Sequence, residues 1–178
     1  MSWDNLSKRL IDDEGRNVVK DDAGKGLGRY GILQSTYTSL GYPGANKHGF
    51  SWPESVENLT EELAKVFYYY EFYTKSGADK IKDEQLAFVL LSLSVNTGIG
   101  RPLRWLQSLV DYNGSPLVRD GVFGTKTEYA INNYSFGFPT LVKFFKQKAE
   151  TYYRALVKDN PSLYTKYLDG WLKRLEKM

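Results

Sequence analysis

The chain has 178 residues, a formal net charge of +3, 42% hydrophobic residues, no cysteine and one histidine. That apolar share supports a packed core and excludes wholesale disorder, and the lack of cysteine excludes disulfides, thiolate zinc sites and cysteine nucleophiles. The opening Met1-Ser2-Trp3-Asp4-Asn5 has no basic region followed by an apolar one, so it reads as no secretory signal, and no apolar run reaches the roughly 18 residues that span a bilayer.

In chain order, residues 3–14 read as a helix with Leu6 and Leu10 on one side, ending at Glu14-Gly15, where the glycine suits a left-handed stop. Residues 15–31, rich in glycine and charge, suit an irregular loop or a short β-hairpin. Ile32 to Leu40 predicts a short amphipathic helix closed by Gly41, and residues 42–53 are turn-rich. Two helices are expected over 54–75, the second opening at Thr60-Glu61-Glu62 with Thr60 as N-cap. This second helix carries Phe67, Tyr68, Tyr69, Tyr70, Phe72 and Tyr73, which cannot all face one way, so some line a groove or a second interface. Residues 83–97, with Leu86, Val89, Leu90 and Leu93, predict a central buried helix. Residues 101–110 continue helically, 111–124 read as a loop, and 126–132 as a short helix. Two amphipathic helices close the chain over 138–158 and 161–176, with Pro161 in the first turn of the last. The expectation is a mainly α, single compact unit over 1–178.

From Lys143 onward there are nine Lys/Arg against four Asp/Glu. A basic tail of this kind favours polyanions such as an anionic cell wall. No nucleic-acid-binding signature accompanies it, so nucleic acid is not an expected partner. His48 beside Gly49 in a loop is poor material for a metal site or a Ser-His-Asp triad, and no phosphate-binding glycine motif is present. Neither a metal nor a cofactor is expected. Carboxylates remain: Asp12-Asp13-Glu14 and then Asp21-Asp22 stand on both sides of a glycine-rich loop. Glycoside hydrolysis uses such a pair, one acid donating to the leaving oxygen and one carboxylate activating water or offsetting positive charge. A Glu at a helix end facing a sugar groove is partly desolvated, which favours its protonated form. The same cluster also fits a solvated surface, and spacing by itself leaves both readings open.

The order of motifs adds more. Leu10-Ile11-Asp12-Asp13-Glu14-Gly15, an acidic glycine-rich loop, and then Tyr30-Gly31-Ile32-Leu33 resemble the N-terminal signature of glycoside hydrolase family 108, N-acetylmuramidases found among phage endolysins and prophage proteins. Val95-Asn96-Thr97-Gly98 with Trp105-Leu106-Gln107, the turn Asp120-Gly121 through Thr127, and the closing Gly170-Trp171-Leu172-Lys173-Arg174 are similar to later segments of that family. Arg16 stands where the family has the second glycine of Glu-Gly-Gly, Lys25-Gly26-Leu27-Gly28 lacks the hairpin threonine, and Ser92 replaces an acid.

The resemblance implies a lysozyme-like helical fold with a short β-hairpin or irregular loop after the first helix. It implies a catalytic part over 1–97 and a helical peptidoglycan-binding part over 98–178 packed on it. The implied reaction is hydrolysis of the β-1,4 bond between N-acetylmuramic acid and N-acetylglucosamine, with Glu14 as general acid. Asp22 is the expected second catalytic group, with Asp21 in reserve. Tyr30 and Tyr73 are candidates for stacking on sugar rings, a role that competes with core packing, and Asn96 either bonds substrate or caps a buried helix end. The implied partner is bacterial peptidoglycan, met by a monomer with no stable membrane insertion. Such a protein accumulates in the host cytoplasm and is released to the cell wall through a holin. A lytic transglycosylase and a non-catalytic wall-binding or phage structural protein are the rival readings.

Overall fold

The computed structural model describes residues 3–20 and 26–178. Contacts divide the chain into two compact units, Met1–Glu71 and Phe72–Met178.

In the first unit, α1 (Trp3–Glu14) buries Leu6, Ser7, Leu10 and Ile11, one stripe along a 3.6-residue period. Three two-residue strands, β1 (Val18–Val19), β2 (Gly28–Arg29) and β3 (Ile32–Leu33), form an antiparallel sheet in that order. Of the two options open for 15–31, the hairpin is the one formed. The following helix, α2 (Gln34–Ser39), starts later than the periodicity predicts, because Ile32 and Leu33 pair with Arg29 and Gly28 instead of coiling. The turn-rich segment contains a second hairpin, β4 (Asn46–Lys47) with β5 (Phe50–Ser51). Only one full helix forms in the 54–75 region. Its expected first helix is a 3-10 turn, Val56–Asn58, capped by Ser55. Thr60 does cap α3 (Glu61–Tyr68), accepting from Leu63 N at 3.2 Å, and α3 runs on into a π-helical turn, Tyr69–Tyr73.

An aromatic cluster forms the core of this unit. Tyr42 packs edge-on to Trp52 at 4.4 Å between ring centroids and tilted against Phe67 at 5.0 Å, and Tyr37 stacks on Tyr42 at 5.5 Å. The buried polar ends of Tyr37, Trp52 and Tyr42 find partners. Tyr37 Oη donates to Pro53 O at 2.7 Å and Trp52 Nε1 to Lys47 O at 2.8 Å. Glu71, only 5% exposed, accepts from Tyr42 Oη at 2.8 Å and pairs with Lys47 Nζ at 3.4 Å.

In the second unit, α4 (Glu84–Thr97) is the buried central helix, capped by Asp83, which accepts from Leu86 N at 2.8 Å. It packs against α5 (Gly100–Gln107) and α7 (Phe138–Asp159), and α7 pairs along its length with α8 (Pro161–Lys177). Within the stretch read as a loop, β6 (Asp111–Tyr112) and β7 (Ser115–Pro116) form a third hairpin, followed by α6 (Thr125–Asn132). The closing motif is structural here: Trp171 stacks on Tyr153 at 4.9 Å, and Arg174 donates to Asn96 Oδ1, tying α8 to the end of α4. Within the second unit α4 is joined to α5 and α7. Among the described residues no helix is long and apolar enough to cross a membrane, and no group of three His, Cys, Asp or Glu is placed to hold a metal.

Candidate active site

Glu14 is the last residue of α1 and is half-buried. The helix stops because Gly15 takes φ 86 while its N–H still reaches Ile11 O at 2.9 Å. The carboxylate therefore sits at a helix terminus.

The β2–β3 hairpin comes to it. Its two-residue turn is Tyr30-Gly31, with φ 54 and 76, the left-handed pair that matches the twist of antiparallel strands. A Cβ placed on Gly31 would lie 2.8 Å from both Glu14 Cβ and Glu14 Oε2, and 2.9 Å from Tyr68 Oη. The hairpin tip thus packs against the Glu14 side chain with no room for any residue but glycine. Tyr68 fixes this approach from α3, its buried hydroxyl donating to Tyr30 O at 2.7 Å. The hairpin tip thus meets the helix end at Glu14, and the phenol holds the tip there.

Arg16 sits just beyond, joined to Asp12 Oδ1 at 2.5 Å and to Glu61 Oε2 at 3.0 Å, while Lys65 holds Glu61 Oε1 at 2.9 Å. Hydrogen bonds from Lys65 and then Arg16 keep the Glu61 carboxyl below its ordinary range, and those to Asp12 and Glu61 raise the Arg16 guanidinium further. This clamp fastens the end of α1 to the start of α3.

Asp22, and Asp21 beside it, lie outside the described residues, in the connection between β1 and β2. Tyr30 is buried, with Arg29 over its ring at 5.1 Å. Stacking on a sugar needs an exposed ring face, so packing is the role its position favours. Tyr73 and Asn96 belong to the second unit. Asn96 donates through Nδ2 to Ser92 O at 2.7 Å and accepts from Arg174, so both ends of its amide serve the helix terminus. His48 stacks on Tyr70 at 3.7 Å with 4° between the ring planes, a packing role. Sequence reading missed Tyr68. It stood inside a run of aromatics, and only the tertiary contact singles out its hydroxyl.

Residues 7–98 match the family model described as Glycosyl hydrolase 108. The chain belongs to that family. As a glycosyl hydrolase 108 chain it is a glycoside hydrolase, and its residues 101–176 match a second family, described as Predicted Peptidoglycan domain. The structure is similar to that of SagA from Brucella abortus, with a TM-score of 0.73 and 18% identity over 98% of this chain and 90% of that one. At this identity the likeness speaks for a shared fold. A search among curated proteins returns no match. The mainly α fold is thus common to this glycosyl hydrolase 108 chain and SagA. Together the two family matches make it an enzyme of peptidoglycan degradation.

Proposed function

We propose that this enzyme is a muramidase that hydrolyses the β-1,4 bond between N-acetylmuramic acid and N-acetylglucosamine, with Glu14 as general acid. The observation that carries this reading is the half-buried Glu14 at the end of α1, with the Gly31 hairpin tip packed on its side chain and the Tyr68 hydroxyl holding that tip through Tyr30 O. An acid held so closely donates its proton to the glycosidic oxygen from one fixed position, with no orientation left to lose in the transition state. Asp22, carried on the β1–β2 connection, orients water or offsets the positive charge that develops at the anomeric carbon. The catalytic part corresponds to 1–97 and the wall-binding part to 98–178, a division in line with the extents of the two family matches. The same reading makes the chain a monomeric endolysin that reaches the wall from the host cytoplasm through a holin lesion.

The test is mass spectrometry of muropeptides released from purified peptidoglycan. Wild-type protein is expected to release products with reducing N-acetylmuramic acid ends. Glu14→Gln should lower the rate by about 10²-fold or more while wall binding persists. Anhydro-sugar ends would replace hydrolysis by transglycosylation, and an unchanged rate in the variant would remove Glu14 from the mechanism.

A further inference from the structure

The second unit presents two unlike concavities. One runs between α7 and α8, has a volume of about 480 Å³, and is lined by Lys143, Lys146 and Arg154 together with Glu150 and Glu176. The other, about 370 Å³, lies between the β6–β7 hairpin and α6 and is lined by Asp111, Asn113, Tyr129, Asn133, Tyr134 and Phe136 among others. It holds no basic residue. Its size falls in the ~300–1,000 Å³ range of small-ligand pockets.

Its aromatic rings are held outward by the backbone. Phe136 is 74% exposed at the tip of the turn after α6, and Gly137 N closes that turn onto Tyr134 O at 3.2 Å. The Tyr134 ring braces Phe136 edge-on at 5.6 Å. Tyr129, 48% exposed, is braced in the same way by Tyr112 at 5.3 Å, with Lys126 over the Tyr112 ring at 5.7 Å. One exposed ring is ordinary. Here two braced rings flank one polar pocket.

The polar groups are placed as deliberately. Asn113-Gly114 forms the two-residue hairpin turn with φ 50 and 76, which sets Asn113 at its tip. Asn133 Nδ2 donates to Tyr129 O at 2.8 Å, which holds its amide on the rim. Among the described residues neither the Asp111 carboxylate nor the Asn113 amide has a hydrogen-bond partner.

We infer that this pocket is a subsite for an uncharged, N-acetylated pyranose of the glycan strand, an inference that rests on the reading of the chain as a peptidoglycan hydrolase. The axial C–H face of such a sugar lies against the negative π faces of Phe136 and Tyr129. Its hydroxyls and acetamide match the donors and acceptors of Asn113, Asn133 and Asp111. With one acid and no base, the pocket repels the carboxylates of stem peptides and anionic wall polymers, which suit the cationic α7–α8 groove instead.

The test uses the full chain carrying Glu14→Gln, titrated with a soluble tetramer of N-acetylglucosamine and followed by NMR. The side-chain amides of Asn113 and Asn133 and the Gly114 backbone amide should shift saturably. Phe136→Ala should weaken that binding about tenfold or more, with an unchanged unfolding midpoint because the ring is exposed. Signals that stay still at saturating sugar, or that still move in Phe136→Ala with unaltered affinity, overturn the subsite. A wild-type enzyme that releases muropeptides while these signals stay still loses the subsite and keeps the hydrolase reading. Shifts without any released product keep the subsite and reject the hydrolase reading.

Discussion

Gly15 and Gly31 flank Glu14 and constrain it differently. Both take positive φ, 86 and 76, but a Cβ on Gly15 meets nothing within 4 Å, whereas one on Gly31 strikes the Glu14 side chain and the Tyr68 hydroxyl. Gly15→Ala therefore carries backbone strain alone, about 1–2 kcal/mol. Gly31→Ala adds displacement of the carboxylate. Thermal unfolding should show both variants destabilised, with hydrolysis at a permissive temperature largely kept in Gly15→Ala and lost by about tenfold or more in Gly31→Ala. Equal activity in the two would mean that the position of Glu14 does not depend on the hairpin tip. Arg16 illustrates the same scale. In place of the family's second glycine it puts a guanidinium between Asp12 and Glu61, a surface clamp worth little in energy but located where α1 ends.

Between elements, the first unit is joined by phenols as much as by aliphatic packing. Tyr37 of α2 is fully buried and donates to Pro53 O, and burial followed by the nearby Glu54 charge pushes its pKa up from 10.0 to about 12. Burial and then the hydrogen bond to Glu71 push Tyr42 up further still. A raised folded-state pKa means stability that is whole below pH 10.0 and is lost as pH rises toward about 12, where the unfolded chain ionises and the folded one resists. Urea midpoints measured across that window should fall steeply for wild type. Tyr37→Phe should start lower, by about 1 kcal/mol for the lost hydrogen bond, and should show a shallower alkaline slope. An identical slope would remove Tyr37 from the linkage.

For the molecule as a whole, charge is unevenly distributed: the last part of the chain, from Lys143, carries nine Lys/Arg against four Asp/Glu, and three of those cations line the α7–α8 groove. Attraction between this surface and an anionic wall is screened by salt, with a Debye length of about 10 Å at 0.1 M and about 3 Å at 1 M. Sedimentation with purified wall should therefore show affinity falling severalfold from about 0.05 M to about 0.5 M salt, whereas cleavage of short soluble glycan fragments, which carry few charges, should change less. A salt-independent wall affinity would assign retention to apolar and hydrogen-bonding contacts alone.

Local rules in the sequence determined much of this protein. Helix α1 stopping at Glu14-Gly15, the Thr60 cap, the buried α4 and the Pro161 start of α8 follow from periodicity, side-chain capping and glycine's access to positive φ, all decided within a turn or two of chain. The order of motifs also carried the family. What needed the tertiary structure was every feature set by partners distant in the chain. Ile32 and Leu33 leave the helical pattern because Gly28 and Arg29 offer a strand to pair with. Tyr68 becomes part of the candidate site because its hydroxyl reaches Tyr30 O, 38 residues away. Tyr30 is buried and Phe136 exposed, although both are aromatic residues beside a glycine. Strand pairing and ring burial depend on which surfaces meet after folding, and that information is not contained in local spacing.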